Sequence, residues 1–157
     1  MTTDLYALPG HLIRRLNQIS VSVFAARMAE LGLDLTPVQF AALTVLQANP
    51  GIDQATLAGL IAHDRVTIGG VVDRLEAKGL VDRTVSRHDR RARVLALTAE
   101  GEALLERVLP AVHAAQDGIL AGLDVEERAT FIGLLRKATD AGNALSRAPL
   151  RGERPAS

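Results

Sequence analysis

Helix-capping residues divide residues 36–98 into short segments, and the positions of these caps constrain the fold more than any other feature of the sequence. Thr36 is a candidate N-cap, followed by Pro at the first helical position and Gln at the third, which is the pattern of a capping box. Asp53 and Asp64 are two further N-cap candidates, and Gly79 is a C-terminal stop signal. The pattern predicts three short helices, at 37–48, 54–61 and 65–78.

The sequence changes character after Gly79. Residues 80–85 and 93–97 are rich in Val and Leu, and they flank the charged stretch 86–92. This arrangement predicts a β-hairpin with a long basic loop. Two short helices joined by a tight turn and followed by a β-hairpin describe a winged helix-turn-helix. We therefore expect a mainly α fold with a small β-hairpin wing, of the α+β class.

Longer helices are predicted on both sides of this region, at 9–31, 98–121 and 124–145. In the first, apolar residues recur every three or four positions, which is helical periodicity. That helix would be about 33 Å long, longer than a compact three-helix core can cover. We therefore expect both ends of the chain to pack against a second copy in a symmetric homodimer.

These segments predict four parts of the chain. They are an N-terminal dimerisation helix (1–35), a winged helix-turn-helix lobe (36–97), C-terminal dimerisation helices (98–145) and a disordered tail (146–157).

Composition excludes several classes of protein. The 157 residues are 48% apolar and 23% charged, as in an ordinary globular domain. There is no Cys, which excludes disulfides, thiolate metal sites and Cys nucleophiles. The four His residues lack metal-ligand spacing, so we expect no metal and no cofactor. Without a secretory signal or an apolar run of roughly 18 residues, a soluble, cytoplasmic protein with no membrane partner is the expectation.

Catalytic interpretations are weak. His63-Asp64 and His88-Asp89 are capable of acid–base chemistry, but adjacent residues do not face each other on a helix. Each pair also has a structural interpretation, the first at a helix cap and the second in the hairpin loop. We therefore predict no catalytic residues and no enzyme activity.

Charge is distributed unevenly along the chain. Lys and Arg number 18 and Asp and Glu number 18, so the formal net charge is zero. Residues 65–95 nevertheless contain eight basic and four acidic residues, which leaves the remainder of the chain negative. A basic segment on an acidic frame favours binding of a polyanion through one face.

Three motifs in this order resemble the MarR family of transcriptional regulators. Residues 89–93, Asp-Arg-Arg-Ala-Arg, followed by Leu97, Thr98 and Gly101, are similar to the family's wing-to-helix signature. Residues 72–81 resemble the end of its recognition helix and residues 33–40 its second helix. The resemblance covers about residues 10–145, and it departs at the start of the wing, where Ser86-Arg87 replaces the usual Asp-Pro.

The resemblance implies a sequence-specific regulator that binds double-stranded DNA at a pseudo-palindromic operator. It further implies a homodimeric repressor that is released by a small aromatic or carboxylate effector. An alternative from another class is a helical dimeric protein-interaction module whose degenerate wing does not bind DNA.

In this resemblance, one face of helix 65–78 enters the major groove and the wing reaches the minor groove, whose negative potential attracts Arg. A basic loop can also be merely solvated, and Gly69 and Gly70 permit close approach either to DNA or to a neighbouring helix. We choose Arg90 for the minor groove and expect Asp89 to orient a neighbouring Arg. The predicted DNA-binding residues are Arg65, Thr67, Gly70, Arg74, Arg87, Arg90, Arg91 and Arg93.

A candidate effector site lies on the first helix, where His11, Arg15, Ile19 and Ser22 share one face. The guanidinium of Arg15 could pair with a carboxylate through two hydrogen bonds. Alternatively, Arg15 forms an intersubunit salt bridge and His11 caps a helix end.

Overall fold

The computed structural model describes residues 3–152. Within them lie six α-helices and a three-stranded antiparallel sheet, which confirms the predicted mainly α fold with a small β wing. Short 3-10 turns precede the first helix and follow the last, at Leu5–Ala7 and Asn143–Leu145. The helices are α1 (Pro9–Glu30), α2 (Pro37–Ala48), α3 (Gln54–Leu60), α4 (Arg65–Ala77), α5 (Ala99–Ile119) and α6 (Val125–Ala141), and the strands are β1 (Ile52–Asp53), β2 (Val81–Val85) and β3 (Arg93–Leu97).

The predicted caps form. Thr36 Oγ1 accepts from the backbone N–H of Gln39 at 3.2 Å, and Gln39 Oε1 accepts from the backbone N–H of Thr36 at 3.3 Å, which completes the capping box. Asp53 and Asp64 each accept from the backbone N–H three residues later, at 2.7 and 2.8 Å. Caps satisfy donors that have no partner inside a helix. They therefore define where α2, α3 and α4 begin.

The sheet has the order β1-β3-β2 and contains one strand that the sequence did not predict. The two-residue strand β1 pairs with β3, with Ile52 opposite Leu95. Two residues are too few to show the alternating pattern that identifies a strand. The pairing joins the α2–α3 connection to the wing, so the wing is attached to the helical part at two places.

The core of the lobe lies where α2, α3, α4 and the sheet meet. Its fully buried side chains include Leu43, Leu57, Leu75 and Leu95. Helices α1 and α5 extend the same core with the side chains of Phe24, Met28, Leu105 and Val108.

Gly101 allows α5 to start close to the end of α4. A Cβ atom added there would lie only 2.2 Å from the carbonyl oxygen of Leu80. The Thr98 hydroxyl, which caps α5, also donates to the carbonyl of Gly79 at 2.6 Å. This close approach of backbone to backbone therefore explains Thr98 and Gly101 of the family signature.

Helix α6 buries none of its residues. Leu134 is 60% exposed and Leu135 is 43% exposed. An apolar groove of about 570 Å³ lies between α6 and the helices α1 and α5. The groove is lined mainly by Leu, Ile and Phe side chains, including Leu12, Leu16, Ile119, Phe131, Ile132 and Leu135.

Part of the C-terminal segment packs against the lobe. In the structure, residues 146–152 fold back onto α3. The Asn143 side chain accepts from the backbone N–H of Leu150 at 2.8 Å and donates to its carbonyl at 3.0 Å, and the backbone N–H of Arg151 donates to the carbonyl of Gly59 at 2.8 Å. An Asn side chain that takes the place of a backbone partner stabilises such a turn. Residues 153–157 lie outside the described residues.

Candidate DNA interface and effector cleft

Helix α4 is divided into a buried and an exposed face. Ile68, Val72 and Leu75 are buried in the core of the lobe. Arg65, Thr67 and Arg74 are exposed, and Gly70 is half-buried beside them. The structure therefore places all four predicted α4 residues outside the buried face of the helix.

Thr67 is also part of the cap of α4. Its backbone N–H and its hydroxyl donate to the two carboxylate oxygens of Asp64, at 2.8 and 2.9 Å. These hydrogen bonds lower the pKa of Asp64 below its usual value of 3.8. The hydroxyl proton is thus engaged within the protein, which leaves the methyl group and the lone pairs of the hydroxyl oxygen to contact a base.

Gly69 and Gly70 are not required for helix packing. A Cβ atom at Gly70 would meet nothing within 4 Å, and one at Gly69 would lie at 3.4 Å from the Gln54 side chain, an ordinary contact. Glycine in a helix costs roughly 0.5–1 kcal/mol relative to Ala. Of the two interpretations of this pair, close approach to DNA therefore fits Gly70 better than close packing between helices.

The wing loop is closed by hydrogen bonds among its own residues. Ser86 Oγ accepts from the backbone N–H groups of His88 and Asp89, at 3.2 and 3.3 Å. Asp89 Oδ1 in turn accepts from the backbone N–H of Arg91 at 2.9 Å. Ser86, where the family pattern departs, thus supplies an acceptor for the turn. Asp89 thus orders the backbone of a neighbouring arginine, Arg91.

Arg83 connects the wing to α4, and sequence reasoning did not single it out. Its guanidinium donates to Asp73 at 2.6 Å and to Glu76 at 2.8–2.9 Å, and it lies 3.4 Å from Gln54 Oε1. The hydrogen bond to Asp73, opposed by desolvation, raises the pKa of Arg83. The available signal was the i, i+3 spacing of Asp73 and Glu76, which puts two carboxylates on one side of α4.

Lys78 is also bound within the protein, since its ammonium donates to the backbone carbonyl of Asp34 and to Gln39 Oε1. Six arginines of this region, by contrast, form no ion pair. Within residues 3–152, no carboxylate lies within 4 Å of the guanidinium groups of Arg65, Arg74, Arg87, Arg90, Arg91 and Arg93.

A cleft of about 330 Å³ lies between the start of α4 and the wing. Arg65, Arg91 and Arg93 all line it, together with Asp53 and Asp89. The structure therefore brings helix and wing arginines to one surface, where they are exposed and have no carboxylate within 4 Å among the described residues.

Three of the four predicted effector residues come together on α1. Arg15, Ile19 and Ser22 line a shallow cavity of about 320 Å³. The fourth, His11, lies outside it. Its ring packs edge-on against Tyr6 at 5.8 Å between centroids, and its Nδ1 lies 3.4 Å from a guanidinium nitrogen of Arg14.

No helix within residues 3–152 is long and apolar enough to cross a membrane. In the same range, no three His, Asp or Glu side chains are grouped so that they could hold a metal ion.

Comparison with known proteins identifies the family. The MarR family pattern matches residues 33–92. The transcriptional repressor NicR of Pseudomonas putida is 33% identical over 137 residues, which cover 87% of this chain and 85% of NicR.

Solved structures agree over almost the whole chain. The PcaV transcriptional regulator of Streptomyces coelicolor, in complex with its natural ligand, is 36% identical with a TM-score of 0.83, covering 90% of this chain and 99% of PcaV. The transcriptional repressor CouR, bound to a 23-mer DNA duplex, is 30% identical with a TM-score of 0.79, covering 88% of this chain and 99% of CouR. The chain belongs to the MarR family and is a winged helix-turn-helix transcriptional regulator.

Proposed function

We propose that this regulator is a homodimeric repressor that binds a pseudo-palindromic operator in double-stranded DNA through α4 and the wing. The observation that carries the proposal is that six arginines of α4 and the wing have no carboxylate within 4 Å among residues 3–152, and that three of them, Arg65, Arg91 and Arg93, line one cleft. Cations left unpaired at one surface are available to phosphates and base edges. The repressor name of NicR and the duplex bound to CouR support the same conclusion.

Each predicted residue receives a role. Arg65 and Arg74 bind guanine or phosphate in the major groove, the Thr67 methyl contacts thymine, and Gly70 lets the helix approach the bases. The wing arginines bind phosphates and the minor groove. Arg90 is the residue that we place in the groove, flanked by Arg87, Arg91 and Arg93.

The apolar groove between α1, α5 and α6 supports dimerisation. Burial of the exposed Leu and Ile side chains along α1 and α6 would stabilise a dimer, because apolar surface is removed from water. A two-fold axis through these helices would present two copies of α4 to half-sites one helical turn apart, roughly 34–36 Å.

Salt dependence of duplex binding tests this proposal. We expect the wild-type affinity to fall steeply with salt, and Arg90→Ala to reduce the slope of log K against log salt by about one for each protomer, or about two for the dimer. Lys137→Ala, which removes an exposed charge from α6, is the matched control and should leave the slope unchanged. The proposal fails if the wild-type protein shows no salt-sensitive, sequence-selective binding across a panel that includes DNA upstream of its own gene.

For the effector we propose a small aromatic carboxylate held at Arg15, Ile19 and Ser22. Arg15 pairs with the carboxylate and Ile19 contacts the ring, while His11 joins only if its ring leaves Tyr6 and Arg14. The effector releases DNA by favouring a spacing of the two α4 helices that no longer fits consecutive major grooves, which requires different affinities for the two states.

Arg15→Ala tests the effector site. With a panel of hydroxybenzoates as probes, we expect the variant to retain operator affinity and to lose carboxylate-induced release. The matched control is Arg14→Ala, which removes the neighbouring guanidinium that contacts Gln18 and should retain release. Unchanged release in Arg15→Ala would remove Arg15 from the site.

We infer no catalytic role. The two acid–base pairs singled out in the sequence contain Asp64, which caps α4, and Asp89, which closes the wing loop. A regulator that acts on chromosomal DNA is expected in the cytoplasm.

A further inference from the structure

The C-terminal tail runs beside the first turn of α4. Arg147 lies with one guanidinium nitrogen 3.8 Å from Asp64 Oδ2, and its side chain is 91% exposed. Asp64 is the N-cap of α4 and directly precedes Arg65. The tail therefore places a cation next to the end of α4 that, in helix-turn-helix proteins, approaches the bases.

The tail is held there by its backbone. Besides the hydrogen bond from Arg151 to Gly59 and the Asn143–Leu150 pair, Gly152 packs tightly on α3, since a Cβ there would lie 2.6 Å from the Leu60 side chain. Gly152 also has a φ of +102°, a conformation that favours glycine. None of these contacts uses an Arg side chain, so the guanidinium groups of the tail are not needed for docking.

A cleft of about 260 Å³ lies between the tail and the start of α4. Among its lining residues are three arginines, Arg65, Arg147 and Arg151, and one acidic residue, Asp64. His63 also lines it, and its Nδ1 is buried without a hydrogen-bond partner among the described residues. The arrangement suits an anionic group that carries several acceptor oxygens.

We propose that Arg147 and Arg151 bind phosphates of the DNA backbone that flank the half-site contacted by α4. The inference rests on the proposed operator binding. Phosphate contacts position a protein on DNA and add affinity without reading sequence. The Arg147–Asp64 pair is an exposed ion pair, of a kind that contributes little to stability. Arg147 can therefore exchange Asp64 for a phosphate at low cost.

The test compares two double variants of the full chain. Arg147→Ala with Arg151→Ala should reduce the slope of log K against log salt by about two for each protomer, or about four for the dimer, and should weaken operator and mismatched duplexes by the same factor. The matched control, Arg136→Ala with Lys137→Ala, removes two exposed charges from α6 and should retain the wild-type slope.

Two outcomes would overturn the proposal. The first is a wild-type slope in the Arg147/Arg151 variant, and the second is a loss confined to the operator sequence, because backbone contacts are sequence-independent. A wild-type slope in that variant, together with a rise in melting temperature that inorganic phosphate at constant ionic strength gives the DNA-free wild type and not the variant, would assign the cleft to a free anion. A wild type that binds no duplex would contradict operator binding itself, so the two failures are distinguishable.

Discussion

The winged lobe and helix α6 place their apolar side chains in opposite environments. In the lobe, Leu43, Leu57 and Leu75 are completely buried, whereas α6 buries none of its residues and leaves Leu134 60% exposed. Both regions begin their helices with well-formed caps, and α2 and α6 each have a complete capping box. Local signals are therefore equally good in the two regions. The difference is that the lobe finds its packing partners within one chain and α6 does not.

The largest effect is expected from a charge in the apolar groove. Leu135→Asp would bury an unpaired carboxylate at the proposed dimer interface, at a cost of about 3–5 kcal/mol. We expect dimer affinity, measured by analytical ultracentrifugation, to fall on the order of a hundredfold or more. Operator affinity should fall with it, because the two half-sites are then no longer bound together.

A control on the same helix separates dimer contacts from helix stability. Val125 is 84% exposed at the first position of α6, outside the residues that line the groove. Val125→Asp should retain the dimer. A Leu135→Asp protein that sediments as a wild-type dimer would contradict the comparison between lobe and α6.

A smaller effect, on operator affinity, is expected from removing Arg83, whose guanidinium pairs with carboxylates of the lobe itself. Arg83→Ala removes the group that joins Asp73 and Glu76 of α4 to the wing. We expect operator affinity to fall about tenfold, because two carboxylates lose their partner and the wing is less firmly positioned. The salt slope should change little, since Arg83 itself binds no phosphate in our proposal.

Arg83→Lys sharpens this test. An ammonium lacks the planar fork that serves two carboxylates at once, so affinity should recover only in part. Wild-type operator affinity in Arg83→Ala would show that wing position does not depend on this residue.

The smallest effect concerns the caps of α3 and α4. Hydrogen bonds from backbone N–H groups lower the pKa of Asp53 and Asp64 below 3.8. A carboxylate with a lowered pKa contributes stability that is present above its unfolded value and is lost as the pH falls through the folded value. Asn also caps helices. The melting temperature of the Asp53→Asn/Asp64→Asn double variant should therefore decrease less between pH 5 and pH 3 than that of the wild type.

Asp82→Asn is the control for this measurement, because the exposed Asp82 carboxylate caps no helix. It should follow the wild-type pH dependence. An equal decrease in melting temperature in the double variant and the wild type would show that the two caps do not contribute to the loss of stability at acid pH.

The boundaries of the elements were largely predictable because caps and periodicity are local. Thr36, Asp53 and Asp64 each begin the expected helix, and the hairpin strands lie within a residue of their predicted ends. The strand β1 was not predictable, since its two residues are defined by their partners in β3 and by no pattern of their own. The same holds for the tail, whose docking depends on Asn143 and on an α3 carbonyl far away in the sequence.

The sequence by itself determined the mainly α winged helix-turn-helix fold, the basic segment and the family, because these reside in residue types at short spacings. Only the tertiary structure decided which cations remain available. In the structure, Arg83 and Lys78 bind carboxylates and carbonyls of the fold. Six arginines have no carboxylate within 4 Å among the described residues, and Arg147 lies beside the start of α4. The physical reason is that the state of a charge depends on which groups lie within a few ångströms of it in space. Residues 44 positions apart, such as Lys78 and Asp34, meet only when the chain has folded.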